Sequence, residues 1–150
     1  MLSRTLVQMI EDHCDQITDR IILHHRQDPE LDRIRSLPES ELRDRIAEVL
    51  KNLGRWLIAG REGEIATRYE QLGRRRFEET IPLYEVVRAL CSLKENMMDF
   101  VREQGISQNP VELYAEEELE HMVGLFFDHA VFHTVKGYET TLRHAVHAVA

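Results

Sequence analysis

LEHMVGLFFDHAVFHTVKGYETTL, residues 119–142, carries apolar or small side chains on nearly every side of a helix as far as Val135. A helix that is apolar most of the way round is covered by other elements on most sides. The stretch therefore reads as the central helix of an all-α fold. Its start lies further back, because Asn109 followed by Pro110 supplies an N-cap side chain and a residue pre-set for the first helical turn. The acidic run Glu116 to Glu118 sits near that positive end. Tyr138 to Ala150 keeps helical composition, with Thr141, Ala145 and Ala148 in a stripe and no stop signal. A helix of this kind pairs with a second copy or leads into a further segment. The expected homodimer interface is Phe126, Phe127, Val131, Val135 and Tyr138, since this helix has more apolar surface than the core of a 150-residue chain requires.

Upstream, the same periodicity predicts four more helices. Leu6, Ile10, His13, Ile17, Ile21 and His24 are spaced 4, 3, 4, 4 and 3 apart and define a first helix ending near Gln27, before Asp28-Pro29. A polar connection, DPELDRIR, leads to Ser36-Leu37-Pro38-Glu39, the pattern of a capping box. Leu42, Ile46, Val49, Leu53 and Trp56 or Leu57 then mark a second helix to about Ala59, stopped by Gly60. Glu62 to Glu79 is a third, more polar helix with Ile65, Tyr69, Leu72 and Phe77, expected on the outside. Pro82 opens a fourth, with Leu83, Val86 or Val87, Leu90, Leu93, Met97 and Val101 inward and Glu85, Arg88, Glu95 and Asp99 outward. The short loop Gly105 to Asn109 makes the last two helices antiparallel neighbours. No segment alternates with period two, so no strand is expected. The result is a single domain, residues 1–150, of about five helices, a globin-like bundle with two long antiparallel C-terminal helices.

Composition narrows the function. The formal net charge of -8 argues against nucleic acid, whose phosphates require a basic face. Arg74, Arg75 and Arg76 point in different directions on a helix and read as a solvated face with ion pairs. No apolar run approaches the roughly 20 residues of a membrane helix, and no secretory signal precedes Cys14 and Cys91, which fits reduced thiols and a cytoplasmic location without membrane contact. No serine lies in a nucleophile elbow, neither cysteine has a catalytic neighbour and no glycine-rich phosphate loop exists, so catalytic residues are not expected.

The eight histidines pose the sharper question. Glu118 and His121 form Glu-x-x-His, and His129 and His133 are four apart. Di-iron bundles use two Glu-x-x-His pairs plus two further glutamates, and this chain has one such pair. Globin haem ligation needs a histidine in the helix before the last two, and none occurs from Arg26 to Glu120. The expectation is a protein without cofactor or metal, with an iron or haem bundle using Glu118, His121, His129 and His133 as the rival. A third reading is an apolar-ligand pocket near Trp56, Tyr84, Met97 and Met98.

Tyr69 to Val101, YEQLGRRRFEETIPLYEVVRALCSLKENMMDFV, contains L-G-R-R-R-F-E-E-x-I-P-L-x-E-V-V-R-A-L. This run resembles the N-terminal domain of the RsbR and RsbRD regulators, on Gly73, Arg76, Pro82, Leu83 and Glu85 to Val87, and the likeness extends back to Leu37. The resemblance implies an all-helical, globin-like domain without haem, usually dimeric, that receives a signal and passes it to a C-terminal output module. In RsbR-type proteins that module is a phosphorylatable STAS domain working with a serine kinase in the stressosome. The implied partners are a second copy, a signalling protein and an output domain absent from this chain. No catalytic residue is carried over.

Overall fold

Two asparagine- or histidine-marked breaks divide what periodicity joins. His13 donates its ring Nδ1–H toward the Met9 carbonyl (2.7 Å), which already accepts from the His13 backbone (3.1 Å), and the helix turns there. At Asn52 the side-chain amide bonds back to the Glu48 carbonyl (2.8 Å) with the same effect. The computed structural model, which describes residues 4–58, 60–104 and 109–149, thus has seven α-helices where about five were expected. They are α1 (Arg4–Asp12), α2 (Cys14–Gln27), α3 (Glu39–Lys51), α4 (Leu53–Trp56), α5 (Glu62–Glu78), α6 (Leu83–Glu103) and α7 (Pro110–Val149). Two 3-10 turns, Pro29–Leu31 and Ile34–Ser36, join α2 to α3. No strand occurs among the described residues. The helix stop expected at Ala59 and most of the loop Gly105 to Asn109 lie outside the described residues. Gly60 adopts φ +92°, a conformation suited to glycine.

The capping box does not form. Ser36 donates its hydroxyl to the Arg33 carbonyl (2.6 Å) inside the second 3-10 turn, and α3 starts at Glu39 after Pro38. Glu39 pairs instead with Arg26 and Arg43. The connection read as polar also buries Leu31 and Ile34, which form a small second core with Ile81 and Val86. Glu85, expected outside, is the reason the turn sits there. Only 1% exposed, it accepts from the backbone amides of Arg33 (2.9 Å) and Ile34 (3.0 Å) with one carboxylate oxygen.

α5 keeps Glu62, Glu64, Gln71 and Arg74 exposed on an outer face and buries Ile65, Tyr69, Leu72, Gly73 and Arg76 on the other. It crosses α7 backbone to backbone: a Cβ on Gly73 would lie 2.0 Å from the Thr134 carbonyl oxygen, and one on Gly137 would lie 2.2 Å from that of Glu70. Tyr69 packs edge-on against Phe126 and Phe77 against Tyr138, so α5 and α7 run in the same direction. α6 runs against both, with Arg102 paired to Glu120. The Asn109 cap forms as expected, its Oδ1 accepting from the Glu112 amide (3.0 Å).

α7 spans 40 residues, about 60 Å at 1.5 Å per residue. Its buried positions are Leu119, Val123, Phe126, Phe127, Ala130, Thr134 and Gly137, a single face. The expectation that it is covered on most sides is therefore corrected: Leu125, Phe132 and Leu142 are exposed.

Candidate functional site

The rival metal set is dispersed. Glu118, His121, His129 and His133 all lie on α7, and the first and last are 15 residues apart, about 22 Å. His121 and His129 are exposed, while His133 sits 3.8 Å from Glu70. Among the described residues no group of three histidine, cysteine, aspartate or glutamate side chains is arranged to hold a metal ion. The apolar-ligand set is dispersed too, with Trp56 against Phe126, Met97 and Met98 in the core and Tyr84 exposed.

The expected interface divides. Phe126 and Phe127 are 3% exposed and belong to the core, because the buried face of α7 passes through them. Val131 packs half-buried against that core, and Tyr138 donates its hydroxyl to the Ile81 carbonyl (2.6 Å). Only Val135 borders the outer face. That face is nonetheless apolar. Of the eleven exposed large hydrophobic side chains among the described residues, eight are on α7: Val111, Leu113, Tyr114, Leu125, Phe132, Leu142, Val146 and Val149.

A second feature was not legible as a site. A cavity of about 80 Å³ lies among α2, α3, α5 and α6, its wall mostly aliphatic, with Leu42, Ile46, Leu72 and Leu90 prominent. That is room for roughly five to eight water-sized units. Its polar lining is cationic: Arg45, Arg68 and Arg76 face one carboxylate, Glu48. Arg68 pairs with Glu48, and Arg76, itself buried, bonds to Glu41 (3.2 Å) and Glu79 (2.7 Å). Arg75 uses the same two glutamates. Arg45 is left with Glu41 at 3.7 Å, and its Nε has no hydrogen-bond partner. Desolvation, then repulsion from Arg76 and Arg75, lowers its pKa.

His25 completes the lining. It is 5% exposed, and neither ring nitrogen has a partner. Burial pushes its pKa from 6.5 down to about 4, so the ring is neutral near pH 7. The periodic stripe had placed His24 inward; Ile17 and Ile21 of that stripe are buried as expected, but the buried face of α2 also takes Thr18 and Ile22 and ends on His25, leaving His24 exposed. Burial likewise raises the pKa of the Tyr69 phenol.

The residues that carry the family resemblance prove to be structural. Gly73 allows the helix crossing, Arg76 holds two glutamates, and Glu85 anchors the 3-10 turn. No helix among the described residues is long and apolar enough to cross a membrane. A family model described as the RsbT co-antagonist protein rsbRD N-terminal domain matches residues 15–149. No curated protein and no solved structure matches the chain.

Proposed function

Because the chain belongs to the family of RsbT co-antagonist rsbRD N-terminal domains, we propose that it is a non-catalytic sensor module of stress signalling that works as a homodimer. It carries no metal or haem in this reading, has a globin-like arrangement, acts in the cytoplasm and passes its state to a protein partner of the stressosome type. Membership of the family supports the regulatory role.

The observation that carries the dimer is the spacing of the outer face of α7. Val111, Tyr114, Leu125, Phe132, Val135, Leu142, Val146 and Val149 all fall on one series of alternating steps of three and four, which also passes through Glu118, His121, Asp128 and Glu139. Such a series keeps one seam facing a partner helix. An exposed apolar seam of this length is costly in water and is covered in the assembled state. Two copies related by a two-fold axis cover it on both.

Light scattering on a size-exclusion peak tests this. The expected mass is about 35 kDa, twice the 17.6 kDa chain. Replacing Leu125 and Phe132 together by glutamate should give a helical monomer. A monomeric wild-type chain at about 100 μM would overturn the dimer.

A further inference from the structure

The cavity beneath α3 has the makings of a ligand site. Three guanidiniums, Arg45, Arg68 and Arg76, and one carboxylate, Glu48, line it, and the ion pairs extend behind the lining to Arg75, Glu41 and Glu79, a network of four guanidiniums against three carboxylates. One positive charge is in excess. The pairings assign it to Arg45, whose Nε–H is buried without an acceptor. His25, on the same cavity, has two further unpartnered polar atoms. A neutral imidazole offers one N–H donor and one acceptor. Buried polar atoms of this kind are ordinarily satisfied, and three in the lining of one cavity call for a partner.

We propose that this cavity is the binding site for a short-chain monocarboxylate, its head accepting hydrogen bonds from Arg45 and His25 and its hydrocarbon part lying on Ile46, Leu72 and Leu90. The excess charge selects an anion, and a carboxylate accepts from both donors at once. The aliphatic wall selects a hydrocarbon tail over a second polar group. The volume limits the whole ligand to roughly five to eight heavy atoms, a carboxylate of about three to six carbons. The ligand is thereby the input of the sensor; that role rests on the regulatory reading above, whereas binding does not.

Isothermal titration of the whole chain with propionate, butyrate, valerate and hexanoate tests the site, with pentanol and inorganic phosphate as controls. At least one of the four acids should bind one per chain with a dissociation constant on the order of 1 mM. Pentanol, lacking the charge, and phosphate, lacking the tail, should each bind at least tenfold more weakly than that acid. Arg45→Met and His25→Leu should each weaken it tenfold or more. His25→Leu replaces unpartnered polar atoms by an apolar group of similar size, so it remains folded. The titration is repeated on the Leu125→Glu, Phe132→Glu variant. Binding retained there, whatever the wild-type oligomer, supports the site independently of the dimer. Absence of saturable binding by all four acids, equal binding of phosphate, or unchanged affinity in both cavity variants overturns the proposal.

Discussion

Gly73 and Gly137 bring the backbones of α5 and α7 together, each with a carbonyl of the other helix or its neighbour standing where a side chain would begin. Backbone atoms have no rotamer to yield. Gly73→Ala or Gly137→Ala should therefore destabilise the chain by about 2–3 kcal/mol, despite the higher helix propensity of alanine. At two to four degrees per kcal/mol, calorimetry should show a drop of roughly 4–12 °C. Gly124→Ala, with nothing within 4 Å of the added methyl, should raise the melting temperature instead. Equal effects at all three positions would contradict the close crossing.

Glu85 accepts two amides with one oxygen, and a glutamine carbonyl can still accept. Glu85→Gln should cost about 1 kcal/mol, the loss of charge assistance, while Glu85→Ala leaves both amides without their acceptor and should cost about 3 kcal/mol. Urea titration separates the two. Similar midpoints for both variants would deny the carboxylate its role.

Arg76 and Arg74 are two residues apart and should differ several-fold. Arg76→Met leaves Glu41 and Glu79 with Arg75, and Glu41 with the more distant Arg45, and should cost about 2–3 kcal/mol. Replacing Arg74, exposed and paired with Glu78 on its own helix, should cost less than about 0.5 kcal/mol. A double-denaturant series in low and high salt should leave the Arg76 penalty nearly unchanged.

His25 makes stability depend on pH. Its pKa is about 4 in the folded chain and near 6.5 in the unfolded one, so between these values the unfolded chain binds the extra proton. The contribution is fully present above pH 6.5 and is lost as pH falls toward 4, by about 3 kcal/mol. Carboxylates titrate in the same window, so the comparison is with His25→Leu, whose stability should fall less steeply from pH 7 to 4.5. Parallel curves would show that the ring is not held neutral.

Features fixed by neighbouring residues were legible in the chain alone. The end of α2 at Gln27 before Asp28-Pro29, the opening of α6 after Pro82 and the Asn109 cap all depend on a few adjacent positions. Burial decided by distant partners was not. Arg76 and Glu85 read as surface charges because Glu41, which holds Arg76 together with the neighbouring Glu79, comes from α3, and the amides that hold Glu85 come from a turn 51 residues away. His25 was passed over for His24 because the buried face of α2 is wider than one stripe, taking Thr18 and Ile22 as well as Ile17 and Ile21, and ends on His25. The outer stripe of α7 was visible as apolar excess, yet its division from the core needed α5 in place, which assigns Phe126 inward and Leu125 outward.

The paired glycines also let α5 and α7 meet backbone to backbone at the crossing. Interlocked side chains at a helix crossing act as teeth, and here two turns of backbone meet without them. Side chains that tie α7 at that point are the Tyr138 hydroxyl on Ile81, the Phe77 ring beside it, and His133 and Lys136 near Glu70. Beyond Gly137 the helix continues unbroken to Val149. Rotation at the crossing would reach the distal end through the same angle.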